Sequence, residues 1–234
     1  MNRFLTNKIR YFLDELIPPF IRDNKFFMYP FFFYWFKGKN ISLMMNFKTE
    51  ILKISDSELS NIYSNLDSRS RDRDTDLNSK TIKKIISIIN PKSKTLIDVG
   101  CGNGFLIEKI KLPLSKFGCD VFDENKFKTN QSFNYSTQNI KSMKFKDNSF
   151  DTVICCHTIE HIPDINTAIN ELKRIAKKEI IIVVPKQKFY FYTLDLHLHF
   201  FPDKFSIINL IRLKNYILYE IDGDWLYIGY LDKS

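Results

Sequence analysis

LIDVGCGNGF, residues 96–105, is the stretch that decides the fold. A short apolar run delivers an acid, Asp98, and then Gly100, Gly102 and Gly104 fall on alternate positions ahead of the helical pattern FLIEKIK. Glycines spaced this way let the backbone turn sharply after a strand and let a ligand approach without meeting a Cβ. The spacing is G-x-G-x-G and not the G-x-G-x-x-G of dinucleotide-binding loops. An acid two residues before the first glycine would also repel a phosphate. A cofactor carrying an ammonium group would be drawn to it.

The pattern on either side is regular. Upstream, Asn78 or Ser79 can cap a helix through about Asn90, with Ile82, Ile85, Ile86 and Ile89 on one stripe and Pro91 as its stop. Downstream, KFGCDVF (116–122) predicts a second strand, the surroundings of Tyr135 a third, FDTVICC (150–156) a fourth and EIIIVV (179–184) a fifth. INTAINELKRIA (165–176) reads as an amphipathic helix, and another helix is expected near 203–214. Strands alternating with helices predict an α/β fold, with a parallel sheet covered on both faces. YILYEID (216–222) and WLYIGYL (225–231), joined at Gly223-Asp224, predict an antiparallel hairpin at its edge.

With these motifs in order, residues 78–234 resemble a class I S-adenosylmethionine-dependent methyltransferase. The resemblance implies a Rossmann-like seven-stranded, mostly parallel sheet with a C-terminal antiparallel hairpin. It implies S-adenosyl-L-methionine as cofactor, with Gly100, Cys101, Gly102 and Gly104 beneath its amino-acid part and Asp98 on its ammonium. Asp120, ending Gly118-Cys119-Asp120, would hold both ribose hydroxyls, and Val121 or Phe122 would lie against the adenine. In the stretch from Asn139-Ile140 to Phe145, Asn139 stands where the family commonly has an acid for the adenine amino group; its carbonyl can still accept that bond.

HTIEH (157–161) has two readings. As H-x-x-E-H it matches an inverted zinc-protease motif. Within DNSFDTVICCHTIEHIPD (147–164), it resembles the loop after the family's fourth strand, which would put His157 and Thr158 beside the methionine part of the cofactor. Pro163 argues against a helix continuous from His157, and no third ligand stands at a familiar spacing, so no metal is expected. Asp195, His197 and His199 alternate in LDLHLHFF (194–201); in a strand they would share a face. They could bind substrate, hold a metal or simply pack.

Methyl transfer needs alignment of nucleophile, methyl carbon and sulfur more than covalent chemistry. A hydroxyl acceptor usually needs a base, and His157, His161, His197 and His199, all the histidines of the chain, are the candidates.

The N-terminal third differs. Residues 1–53 carry nine Lys/Arg against four Asp/Glu in a chain of net charge +8. Nine of the eleven residues from Phe26 to Phe36 are aromatic, within KFFMYPFFFYWFKGK (25–39). That run falls short of the ~20 apolar residues that cross a bilayer. It reads as a cap over the core, a wall of an apolar substrate pocket, or an interfacial membrane anchor. LDSRSRDRDTDLNS (66–79) is a solvated linker, or a loop whose Arg69, Arg71 or Arg73 clamps an anion. The domains expected are therefore a cap with linker over 1–77 and a cofactor-binding domain over 78–234.

No C-x-x-C pair occurs among Cys101, Cys119, Cys155 and Cys156, and no signal-peptide run opens the chain. Reduced thiols and a cytoplasmic location, either free or peripheral to the membrane's inner face, follow as expectations. The acceptor expected is a small or lipid-linked molecule, a saccharide being one guess; a nucleic-acid partner is not expected. The rival readings are a non-catalytic scaffold or cofactor sensor, and a peripheral membrane module.

Overall fold

The computed structural model describes residues 8–9, 11–65, 74–121 and 132–231. Phe122 and Arg69, Arg71 and Arg73 lie outside the described residues. The chain divides into two compact units, one of residues 1–76 and 187–200, the other of residues 77–186 and 201–234.

The first unit is helical. After a π-helical turn at Phe12–Leu16 come α1 (Pro19–Arg22), α2 (Lys25–Trp35), α3 (Ile41–Met45), α4 (Phe47–Glu50) and α5 (Asp56–Ser64). Asn24 starts α2 by accepting hydrogen bonds from the amides of Phe26 and Phe27, and Ser55 with Glu58 forms a capping box on α5. Met28, Phe32 and Trp35 of α2 pack with Met44, Met45 and Leu59, and with Tyr190, Leu194 and Leu196 from the segment 187–200.

That segment contains no strand, so LDLHLHFF does not alternate as a strand would. Side chains take up its backbone groups instead. Lys48 Nζ donates to the Phe191 carbonyl, Tyr63 Oη to that of Leu196, and the Phe191 amide donates to Asp23.

The second unit opens with α6 (Ser79–Ile88), where Asn78 accepts from the Thr81 amide as N-cap. It continues through β1 (Thr95–Val99), α7 (Phe105–Lys109), β2 (Ser115–Asp120), β3 (Asn134–Thr137) and β4 (Phe150–Cys156). After these come α8 (Ile165–Ile175), β5 (Ala176–Pro185), α9 (Lys204–Ile211), β6 (Asn215–Ile221) and β7 (Asp224–Tyr230). The seven strands form one sheet in the order β3-β2-β1-β4-β5-β7-β6. β1 to β5 pair in parallel, and β7 is antiparallel to both β5 and β6. This is the α/β sheet with a hairpin edge that the pattern predicts.

Alternation along β1 splits its side chains between two cores. Ile97 and Val99 join Val153, Ile180 and Ile182 beneath α8, whose Ala168, Ile169, Leu172 and Ile175 fall at i, i+1, i+4 and i+7. Leu96 joins Ile154, Ile181 and Leu226 on the other face, under Ile85, Ile89 and Leu106. The strand order reverses between β1 and β4. In open α/β sheets that switch point, at the carboxyl ends of the strands, is where ligands bind.

Candidate active site

Three adjacent strands, β2, β1 and β4, bring their carboxyl ends together, and each delivers residues singled out in the sequence. Asp98 sits near the end of β1, paired in register with Gly118 on one side and Ile154 on the other. It is buried, and its Oδ1 accepts no hydrogen bond among the described residues. Burial pushes its carboxyl up to about 8, and the charge of Asp120 adds to the shift. A buried carboxylate left this way is costly unless a cation or donor arrives to meet it.

The glycine loop is held from beneath. The amides of Gly100 and Cys101 both donate to the Cys119 carbonyl, at 2.8 and 3.1 Å, and that of Gly104 donates to the Cys101 carbonyl. Gly100 has φ +76°, and a Cβ there would lie 2.2 Å from Thr158 Oγ1. Gly102 also has positive φ, but a Cβ there would meet nothing within 4 Å. Gly100 is therefore required by the protein's own packing, whereas Gly102 borders open space, the room a ligand lying over the loop would need.

Asp120 ends β2 with both carboxylate oxygens oriented. Oδ2 accepts from the Gly102 amide at 2.9 Å and Oδ1 from the Val121 amide at 2.7 Å. The two amides fix the orientation of the carboxylate at the carboxyl end of the sheet.

Asn139 is less available. Its Oδ1 accepts from the Lys141 amide at 2.9 Å, in a local turn, and the side chain of Ile140 is buried in the core. The loop they belong to is clamped to α8. Arg174 donates to the carbonyls of Met143 and Phe145 and to Glu171 and Asp147, while Glu171 accepts from the Met143 amide.

At the end of β4, His157 continues the pairing with β5, its amide donating to the Val183 carbonyl at 2.9 Å. Its φ of +49° turns the chain out of the strand, and Ile159–His161 is a single 3-10 turn. The two histidines of HTIEH therefore do not stand one α-helical turn apart, as the zinc-protease motif requires. His157 instead faces two buried carboxylates, with Nδ1 3.4 Å from Glu160 Oε1 and Nε2 3.6 Å from Asp224 Oδ2. Burial opposes its charge, but Asp224 and Glu160 outweigh it and push the imidazole up to about 9. It is thus a cation at neutral pH and a poor proton acceptor.

His161 is half-buried on the 3-10 turn. His197 and His199 belong to the first unit, where His197 Nδ1 pairs with Gln187 Oε1 at 2.7 Å. The four cysteines are all unbridged thiols, and burial raises the pKa of each, which keeps them from acting as nucleophiles.

Sequence reasoning missed three partners. From the sequence, Thr158 reads only as a neighbour of the methionine part, not as the wall against Gly100. Asp224 reads as a hairpin-tip residue beside Gly223, and Glu160 as a protease base. Only the fold brings the last two to His157.

An acid whose Oδ1 has no partner among the described residues, a glycine loop that borders open space, and a carboxylate fixed by two amides thus meet at the carboxyl ends of β1 and β2. Residues 97–184 match the family described as "Methyltransferase domain". A ubiquinone biosynthesis O-methyltransferase of Coxiella burnetii is 27% identical over 127 residues, 51% of this chain and 51% of that protein. The chain thus spans about half the length of the curated relatives it matches.

Among solved structures, magnesium protoporphyrin IX methyltransferase from Synechocystis PCC 6803 with bound SAH superposes with a TM-score of 0.55. It is 13% identical, over 75% of this chain and 99% of that one. A possible histamine N-methyltransferase from Thermotoga maritima gives 0.54 at 13% identity, over 81% and 98%. The fold is therefore that of the Rossmann-like methyltransferases. The methyltransferase-domain likeness lies in residues 97–184, within that fold, and S-adenosylmethionine is the cofactor to be expected there.

Proposed function

We propose that the protein transfers a methyl group from S-adenosylmethionine to a small or lipid-linked acceptor. The observation that carries the reading is the buried carboxyl of Asp98, whose Oδ1 accepts no hydrogen bond among the described residues, beside a glycine loop whose middle member borders open space. Asp98 would take the cofactor's ammonium, and Asp120, oriented by two amides, its ribose hydroxyls. Val121 would lie against the adenine. Asn139 would meet the amino group, a weaker assignment because the Lys141 amide already engages its oxygen in a local turn. When bound, the cofactor would supply a methyl carbon activated by its sulfonium, which the acceptor's lone pair attacks in line as the thioether leaves.

The protein's work is then alignment and exclusion of water. His157, protonated between Glu160 and Asp224, would fix the wall beside the methionine part and would not take a proton. His161, on the turn that follows, is then the remaining candidate base within the same unit. An oxygen acceptor is favoured, since a base is then useful and the similar Coxiella protein is named an O-methyltransferase.

Calorimetric titration of S-adenosylmethionine into the wild type and an Asp120→Ala variant tests the cofactor site. A loss on the order of tenfold or more is expected in the variant, from one charge-assisted bidentate contact. Transfer of labelled methyl to a panel of phenolic, quinol-type and saccharide acceptors then tests the rest. Absence of cofactor binding by folded wild type would overturn the reading.

A further inference from the structure

We propose that the outward face of α2 is a docking surface for an anionic lipid bilayer, on which it lies in the headgroup zone without crossing. The proposal does not depend on methyl transfer.

α2 is apolar all the way round. Its inner face, Met28, Phe32 and Trp35, is buried in the first unit's own core. Its outer face is aromatic yet open to water, with Phe26 87%, Tyr29 49%, Phe33 54% and Tyr34 53% exposed. Phe26, Pro30 and Phe33 fall at i, i+4 and i+7 and so form one stripe, with Tyr29 and Tyr34 on its flanks. Helices of globular proteins normally put polar residues opposite the core; one apolar on every side belongs in a core or against a membrane. Phe20 on α1, a few residues upstream, is 78% exposed as well.

Charge selects the occupant. From Asn24 to Thr49 the sequence holds no Asp or Glu, and Lys25, Lys37 and Lys39 stand exposed at the two ends of α2. Aromatic rings with lysines at their margins match the interface between acyl chains and anionic headgroups. At eleven residues α2 is about 16 Å long, and among the described residues no helix is long and apolar enough to cross a membrane. Lying flat is the geometry left to it. The Asn24 cap and the packed inner face form the helix beforehand, so binding need not also fold it.

The test is co-sedimentation of the full chain, without cofactor, with phosphatidylcholine vesicles that do or do not contain phosphatidylglycerol. Wild type should pellet with the anionic vesicles and be released by salt. Phe26→Ser/Phe33→Ser should lower partitioning by about a hundredfold, on the order of tenfold per ring. Lys37→Glu/Lys39→Glu, which leaves the aromatics in place, should lower it by about tenfold or more. Unchanged far-ultraviolet circular dichroism in both variants shows that folding is intact.

No pelleting of wild type, or equal pelleting of both variants, overturns the proposal. So does a solution dimer that Phe26→Ser/Phe33→Ser dissociates, since the face would then be a contact between copies.

Discussion

His157 Nε2 lies 3.6 Å from Asp224 Oδ2, joining the residue that follows β4 to the first residue of β7 at the carboxyl end of the sheet. Asp224 also accepts from Asn78, the N-cap of α6, at 3.3 Å. One imidazolium thus ties the loop beside the cofactor region to the hairpin, and the hairpin to the helix that opens the domain. Breaking a buried pair on one side is costlier than never having made it, because the other charge is left unpaired.

The pH dependence of stability should report that tie. The folded pKa of His157, about 9, is above its ordinary 6.5. Its contribution is therefore complete below about 6.5 and is lost as pH rises through about 9. A shift of this size corresponds to roughly 3 kcal/mol. Other buried groups titrate nearby, Lys48 with a pKa lowered to about 8 among them, so the difference between proteins is the informative quantity. Urea unfolding of wild type and His157→Gln at a series of pH values should show a gap that shrinks as pH increases. A constant gap would mean that His157 is not charged in the folded state.

Cofactor binding should release a proton from Asp98. Burial holds that carboxyl up to about 8, and an arriving ammonium would favour the ionised form. Below about 8 the affinity for S-adenosylmethionine should accordingly rise with pH, and titrations in buffers of different ionisation enthalpy should reveal the proton. Asp98→Asn should bind about tenfold to a hundredfold more weakly and lose this proton release. A variant that keeps both affinity and pH dependence would remove Asp98 from the site.

The sheet could be read from the sequence because its signals are local. Runs such as EIIIVV, the periodic Ile165–Ile175 helix and the hairpin at Gly223 each carry their own periodicity or turn chemistry, although the turn falls on Asp222-Gly223, one position before the Gly223-Asp224 expected. The acids at the ends of β1 and β2 were legible for a similar reason, since each stands at a fixed offset from glycine. Tertiary pairings were not. Nothing in His157-Thr158-Ile159-Glu160-His161 shows that its first histidine will meet an aspartate 67 positions on (224 minus 157). Asp195, His197 and His199 alternate as a strand would, yet no strand forms there, and side chains of the helical unit bind the Phe191 and Leu196 carbonyls. Periodicity marks what a segment can do, and its partners decide.

The loop over 139–147 depends on one arginine. Arg174 Nη1 and Nη2 hold two of its carbonyls while Nε bonds Glu171 at 2.6 Å, and those acids keep the guanidinium's pKa above its ordinary value. Arg174→Ala would leave the two carbonyls without this donor and Glu171 with only the Met143 amide, at about 1–3 kcal/mol by the usual cost of such a loss. Thermal unfolding should show the decrease, and binding should weaken as Asn139 loses its fixed position. Arg174→Lys, which keeps the charge but not the fork, should recover only part of it.

Gly100 and Gly102 separate folding from binding. Alanine at Gly100 meets Thr158 Oγ1 at 2.2 Å and takes up a left-handed φ, so Gly100→Ala should destabilise the fold by about 2 kcal/mol or more. Shortening the obstacle in Gly100→Ala/Thr158→Ser should recover part of that loss if Thr158 Cγ2, which lies 2.5 Å from the added Cβ, shares in the clash. Gly102→Ala meets no protein atom within 4 Å and bears only the backbone strain, about 1–2 kcal/mol. The space it fills, however, is the space assigned to the cofactor. Its midpoint in urea should therefore move less than that of Gly100→Ala, while its affinity for S-adenosylmethionine falls about tenfold or more, since inserting a methyl into a fitted contact typically costs 1–3 kcal/mol. If Gly102→Ala binds like wild type, the cofactor does not lie over the middle of the loop.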